Sequence, residues 1–343
     1  MILIDGKKAA ADLREELKKE VSNLKTKHNK VPGLTVILIG DLTPSQIYVR
    51  NKEKSASEVG IKSNVVKYPD TVEEKVILDK IKELNLDNSV SGILVQLPLP
   101  KHIDKQKIIE AIHPSKDVDG FHPMNVGNLS SGYESSVPCT PLGCYLLIKK
   151  IEPNLSGKKA VIVGRSNIVG KPMAALLLKM NATVTIVHSR TKNIEDICKE
   201  ADILGAAVGV PEMVKGSWVK QGCIVIDVGI NRIEVEGKTK LVGDVDFNQT
   251  IVTTNTTFTQ TVAGISAAAT TTDNSGGSTI DLTFGEAIKS NSTLVSALSS
   301  WRHGVKSHGW GVWCKRQVIG GHHAVAWWSQ VAHTMEDTLC TGV

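Results

Sequence analysis

No C-x-x-C pair occurs in the 343 residues, although the chain holds six cysteines. Cys139, Cys144, Cys198, Cys223, Cys314 and Cys340 are scattered, which excludes a zinc cluster or a disulfide framework by spacing. They are expected as buried or free thiols in a reducing compartment, and no metal is expected. No apolar run is long enough to cross a bilayer, so no membrane partner is expected. The opening MILIDGKKAAADL lacks a basic stretch followed by a long apolar core. The expectation is therefore a cytoplasmic protein without a secretory signal. A strong excess of one charge is also missing. The formal net charge of +5 suits an anionic small molecule and does not point to nucleic acid.

What is present reads as an ordinary soluble protein, 41% hydrophobic and 22% charged, of a length that suits about two domains. Residues 8–27 place Leu13, Leu17, Val21 and Leu24 on one helical face. GLTVILIG (33–40) predicts a buried strand, and DLTPSQIYVRNKEKSASEVG a helix with a Ser or Thr start and Gly60 as its stop. IKSNVVKYP predicts a strand. TVEEKVILDKIKELNLD predicts a helix with Val72, Val76 and the row Ile77, Ile81 and Leu84. VSGILVQLPLP predicts a strand stopped by Pro98 and Pro100, and KQKIIEAIHP a short helix. Such alternation implies a mostly parallel sheet covered by helices. A turn-rich loop follows, SKDVDGFHPMNVGNLSSGYESSVPCTP, and Thr140-Pro141 reads as the start of the helix LGCYLLIKKI. The runs KKAVIVG, NATVTIVHSR, ADILGAAVG and GCIVIDVGI then predict a second, doubly wound sheet.

The stretch VIVGRSNIVGKPMAALLLKM reads as strand, glycine turn, helix. Gly164 ends the strand, Gly170 opens the helix, and free amides at that helix start would suit a phosphate. The spacing is G-x5-G, so the usual G-x-G-x-x-G fingerprint is absent. Folds selective for NAD end the next strand in Asp or Glu. Here it ends in HSR, where Ser189 and Arg190 suit a 2′-phosphate and Arg165 adds a second positive charge. The expected cofactor is NADP.

In the first half, Tyr48 and Lys52 in YVRNK are four apart and share a helical face, as an acid/base pair or as surface decoration. Gln96 ends an apolar strand, the edge where open α/β sheets bind ligands. KDVDGFHP puts Asp117 and Asp119 in the loop between the halves, where clefts form. The pair could equally serve only to shape a turn.

Seven segments together carry a resemblance: YVRNK, GILVQLPLP, KDVDGFHPMNVG, PCTPLG, VIVGRSNIVGKPMAALL, VIDVGINR and VGDVDF. From residue 1 to about 247 the chain resembles the bifunctional methylenetetrahydrofolate dehydrogenase/methenyltetrahydrofolate cyclohydrolase family. The resemblance implies two α/β domains around a cleft: a folate-binding catalytic domain (1–120) and a Rossmann-like NADP-binding domain (121–247), with a linking helix near 141–151. It implies a homodimer acting on tetrahydrofolate derivatives in one-carbon metabolism, including the supply of purine biosynthesis. Lys52 would be the acid/base group of the hydrolytic step, with Tyr48 stacked near the folate and Gln96 steering Lys52. Leu97 and Pro98 would lie beside Gln96 on the substrate, and Asp119 would hold the pterin ring. Gly164, Arg165, Ser166 and backbone at Ile230 would hold NADP. A lysine desolvated in a cleft can act as a base near neutral pH.

The family continues after GDVDF into a strand, a Pro-Gly-Gly turn and a closing helix, and residues 248–343 match none of this. Residues 248–300 are rich in Thr, Ser, Asn, Ala and Gly, and 301–333 hold five of the six tryptophans. This tail is expected to be non-native or poorly ordered. GGHH and SHGWGVW lack metal-site spacing, and the tail's balanced charge argues against a nucleic-acid arm. Two other readings remain. One is a folate- or NADP-binding remnant that lacks the closing turn. The other is a short-chain dehydrogenase, which also carries Tyr-x-x-x-Lys, but there the nucleotide turn precedes the pair, whereas here it follows by more than a hundred residues.

Overall fold

The computed structural model describes residues 3–235, 237–247 and, as backbone, 257–260. The first half runs α1 (Gly6–His28), β1 (Gly33–Ile39), α2 (Thr43–Glu58), β2 (Lys62–Tyr68), α3 (Glu74–Leu86), β3 (Gly92–Val95) and α4 (Lys105–Ala111). Its three strands are parallel in the order β2-β1-β3. All seven residues of β1 are buried, because a central parallel strand covered on both faces must be apolar throughout. At the start of α1 the Asp5 carboxylate accepts the Lys8 amide at 2.9 Å, and Asn29 ends the helix in the left-handed region.

Several boundaries differ from the sequence reading. Helix α2 begins at Thr43, and the residue before it, Leu42, makes no side-chain cap. On α3 the expected row Ile77, Ile81 and Leu84 is the buried one, and Val76 is 43% exposed. At 3.6 residues per turn Val76 falls beside that row rather than on it. The supposed loop between the halves contains a further helix, α5 (Pro123–Ser130), started by His122, whose Nδ1 accepts the Met124 amide at 3.1 Å, and by Pro123 in its first turn.

Helix α6 (Cys139–Ile151) starts ahead of the expected Thr140-Pro141, with Pro138 before it and no side-chain cap. It leads into β4 (Lys159–Val163), α7 (Gly170–Lys179), β5 (Thr183–Val187), α8 (Ile194–Lys199), β6 (Ile203–Ala206) and β7 (Ile224–Asp227). An antiparallel hairpin follows, β8 (Asn231–Val235) with β9 (Lys238–Val242). The second sheet is parallel in the order β10-β7-β6-β4-β5. Its strand β10 (Thr257–Gln260) lies beyond residue 247 and pairs with β7 from Thr257 opposite Ile224 to Gln260 opposite Asp227. The second sheet therefore takes a strand from the region expected to be a non-native tail. TFTQ is a short run with β-branched and aromatic residues, the composition a strand favours. The rest of that tail, with its Trp- and His-rich part, lies outside the described residues.

One apolar cluster runs through both sheets. It joins Leu34 and Leu94 of the first to Ile162 of the second through Leu142, Leu147 and Ile148 of α6. An ion pair of 3.5 Å between Lys150 of α6 and Asp12 of α1 adds a polar tie. Among the described residues, no helix is long and apolar enough to cross a membrane.

Candidate active site

The strand order of the first sheet reverses at β1, with β2 on one side and β3 on the other. The crevice at the carboxyl ends of β1 and β3 is the place such a sheet offers a ligand. Gln96 sits there, its amide N–H donating to the Ile37 carbonyl at 2.9 Å. Its side-chain Nε2 donates to the Leu97 carbonyl at 2.8 Å. That leaves Oε1 to accept the Lys52 Nζ at 3.3 Å. Lys52 arrives on α2, the helix that follows β1.

A cavity of about 190 Å³ opens beside this pair. Its walls include Lys52, Gln96, Leu97, Asp119, Phe121 and Val169. Four residues expected on the substrate are thus brought together: Lys52, Gln96, Leu97 and Asp119. Tyr48 lies one turn before Lys52 on α2, half-buried and outside this lining, and the exposed Pro98 also falls outside it. The volume is below the roughly 300–1,000 Å³ of a pocket that encloses a whole drug-sized ligand. It suits a single ring system.

The two aspartates of KDVDG separate clearly. Asp117 is 3% exposed and accepts the Gly120 amide at 3.0 Å, the His122 amide at 2.8 Å and Asn125 Nδ2 at 2.9 Å. It builds the turn into α5. Asp119 is half-buried on the cavity wall. The preceding Lys116 is structural too: its Nζ donates to the carbonyls of Leu84 at 2.8 Å and Asp87 at 2.7 Å, closing the end of α3.

In the second half the order reverses at β4, between β5 and β6. Gly164 leaves β4 with φ +123°, and a side chain there would strike the Ala207 carbonyl at the end of β6. A Cβ on Gly170 would strike the Gly164 carbonyl, so the turn and the start of α7 are in backbone contact. The expectation of free amides at this helix start is not met. Val169 and Gly170 donate to Ser166 Oγ at 3.1 and 3.3 Å, and Lys171 donates to the Ser166 carbonyl at 3.0 Å. Ser166 thus shapes the turn. Arg165, Ser189 and Arg190 are exposed, the latter two just past β5. That turn is fixed by the His188 amide on Thr191 Oγ1 at 3.0 Å and the Arg190 amide on His188 Nδ1 at 3.2 Å. The donor set of two guanidinium groups and a hydroxyl, with no carboxylate ending the strand, fits a nucleotide bearing a 2′-phosphate. Ile230 is 44% exposed in the connection from β7 to β8.

Sequence reasoning missed the buried carboxylates behind this connection. Asp227, 0% exposed, accepts the amides of Gly229 and Asp244 at 2.9 Å each and of Val245 at 3.1 Å. Burial pushes its carboxyl up to about 7, against these donors and with help from the nearby Asp244 charge. Asp244 accepts the amides of Val208 and Gly209 at 2.6 and 2.9 Å and Asn231 Nδ2 at 2.8 Å. A carboxylate ending the apolar run CIVID was the available signal. Phe121, Cys139, Thr140, Ile168 and Val169 of the cavity wall gave none. The described cysteines are buried, and among the described residues none is joined in a disulfide. Burial pushes the thiols of Cys144, Cys198 and Cys223 up to about 12, which makes them poor nucleophiles. Cys314 and Cys340 lie outside the described residues.

A doubly wound sheet with a glycine turn at its switch point, facing a cavity lined by a second α/β half, defines the class of dinucleotide-dependent enzymes with a separate substrate half. Comparison with known proteins narrows that class. The tetrahydrofolate dehydrogenase/cyclohydrolase catalytic domain matches residues 4–119, and the NAD(P)-binding domain of the same family matches residues 138–272. The chain belongs to this family, and the match reaches past residue 247, where the sequence resemblance was placed. The Bifunctional protein FolD of Pelagibacter ubique is 73% identical over 249 residues, which span 73% of this chain and 87% of that protein. The bifunctional FolD methylenetetrahydrofolate dehydrogenase/cyclohydrolase of Campylobacter jejuni is 48% identical with a TM-score of 0.72, over 76% of this chain and 90% of that one. The Trypanosoma brucei FolD, solved with NADP cofactor and inhibitor, is 30% identical with a TM-score of 0.72, over 98% of this chain and 97% of that one.

Proposed function

We propose that this chain oxidises 5,10-methylenetetrahydrofolate to 5,10-methenyltetrahydrofolate with NADP+ and hydrolyses that product to 10-formyltetrahydrofolate, a bifunctional role in one-carbon metabolism that also serves purine biosynthesis. The observation that carries it is the Lys52–Gln96 hydrogen bond of 3.3 Å on the wall of a cavity shared with Asp119 and bordered by Val169 of the cofactor half. Bound NADP+ supplies the acceptor for the hydride that leaves the folate one-carbon bridge.

The chain's own groups position and protonate. Asp119 accepts hydrogen bonds from N–H groups of the pterin, which fixes the ring against Leu97. Gln96 holds the Lys52 amine at one place on the wall, and Tyr48, one helical turn away, flanks it. In the second step water adds to the methenyl carbon, the bond from that carbon to N5 opens, and one proton is released overall. Lys52 relays the protons of that step, a role that needs a positioned amine rather than a free one. Arg165, Ser189 and Arg190 take the 2′-phosphate, with Gly164, Ser166 and backbone at Ile230 along the nucleotide. The first 120 residues form the folate half and residues 121–247, extended by β10, the cofactor half. A cytoplasmic homodimer completes the reading.

The test follows NADPH and methenyltetrahydrofolate by absorbance after mixing protein, methylenetetrahydrofolate and NADP+. Both signals are expected. The variant Lys52→Met should lose hydrolysis of added methenyltetrahydrofolate, and a wild-type rate in that variant would remove Lys52 from the role.

A further inference from the structure

We propose that Asp244 is a positioning residue for the dehydrogenase step, one that sets the cofactor-facing wall of the cleft without touching substrate or cofactor. The inference rests on the dehydrogenase/cyclohydrolase reading above and extends it to a residue outside the expected site.

Asp244 is fully buried, and both of its carboxylate oxygens are engaged. One accepts the amides of Val208 and Gly209, the turn that leaves β6. The other accepts Asn231 Nδ2 at the start of β8. The Asp244 amide is itself bonded to Asp227 at the end of β7. Three pieces of chain from separate strand ends therefore meet at one residue, two of them on its side chain and the third on its amide. Two of them adjoin residues proposed above for the nucleotide: the Ala207 carbonyl packs against Gly164, and Ile230 lies between Gly229 and Asn231. The approach is close, because a side chain at Gly229 would run into the Asp244 carboxylate and one at Gly243 into that of Asp227.

The folate-side groups Lys52, Gln96 and Asp119 sit on other elements and make none of these bonds. Loosening Asp244 should therefore shift the β6 turn and the β7–β8 connection, which border the nucleotide, and leave the lysine site in place. A bifunctional enzyme provides its own control: the reduced cofactor reports one step, and hydrolysis of added methenyltetrahydrofolate reports the other.

The experiment compares the full chain with Asp244→Ala, Asp244→Asn and Asn231→Ala. In Asp244→Ala the Kd and KM for NADP+ should rise about tenfold or more, as expected for lost hydrogen bonds to a charged group, while methenyltetrahydrofolate hydrolysis stays within about twofold. Asp244→Asn should restore most of the affinity, since its amide can remake these bonds once Asn231 turns its own amide over. Asn231→Ala removes one bond from a half-buried position and should move NADP+ affinity in the same direction by less. It decides the matter if Asp244→Ala does not fold. Amide exchange without any ligand should quicken at Val208 and Gly209 in the variant that folds. Wild-type NADP+ binding and turnover, measured first, test the underlying reading separately. Unchanged NADP+ affinity, equal loss of both activities, or unchanged exchange at Val208 and Gly209 would overturn the role of Asp244.

Discussion

Lys52 on α2 donates its ammonium hydrogen to Gln96 Oε1 across 3.3 Å, while Gln96 turns its own Nε2 to the Leu97 carbonyl. The glutamine is therefore fixed in orientation, and its oxygen can face only the lysine. Replacing it by alanine frees the lysine tip to move by an ångström or more. Misplacement of that size costs about a hundredfold in rate. Gln96→Ala should lower kcat for methenyltetrahydrofolate hydrolysis by about that factor, measured by loss of the methenyl absorbance, with little change in thermal stability.

Arg190 ends the turn after β5 with its side chain in solvent. If it meets a 2′-phosphate, its removal acts on NADP+ and spares NAD+. Arg190→Ala should raise KM for NADP+ about tenfold, the scale of one charge-assisted hydrogen bond, and leave KM for NAD+ nearly unchanged. Equal effects on both cofactors would place the phosphate elsewhere.

Gly164 holds φ at +123°, with the Ala207 carbonyl where a side chain would begin. Alanine there meets both a disfavoured backbone and a clash. Gly164→Ala should destabilise the fold by about 1–3 kcal/mol and weaken NADP+ binding, read as a lower Tm and a higher Kd.

Asp227 gives the protein a pH dependence that runs opposite to that of a paired carboxylate. Its ordinary value is 3.8, and burial raises the folded value to about 7. The native state therefore holds the proton more tightly than the unfolded chain. The contribution of this group is fully present below pH 3.8 and is lost as pH rises through about 7. The slope inside that window is on the order of 1.4 kcal/mol per pH unit. Denaturant unfolding of Asp227→Asn between pH 5 and 7 should lack this component.

Lys116 closes the end of α3 through two backbone carbonyls, and burial lowers its pKa below the usual lysine range. Lys116→Met leaves both carbonyls without that donor and should cost about 1–3 kcal/mol, seen as a lower midpoint in urea. Neither enzymatic step should change at temperatures where the variant is folded.

Strands were legible where burial demanded an apolar run. GLTVILI and the four runs of the second half could hardly be anything else once helices alternated with them. Gln96 was legible for the same reason, as a polar residue at the end of such a run. Asp117 and Asp119 were not separable in the sequence, because a turn-building carboxylate and a ligand-facing one have the same composition and differ only in what donates to them. Asp227 and Asp244 are seventeen residues apart and meet only when β7 and the segment after β9 are placed side by side. Ser166 was legible only as a ligand contact, because its second role, accepting the amides of Val169 and Gly170, becomes visible only in the folded turn. The α6 start misled because Thr140-Pro141 is a good local signal, yet the helix already includes Cys139, a residue of the cavity wall.

Helix α6 shares one apolar cluster with both sheets. Cooperativity follows from that arrangement. Each half also keeps an apolar cluster of its own, but the shared one couples them, so probes placed on β1 and on β4 should report a single coincident thermal transition.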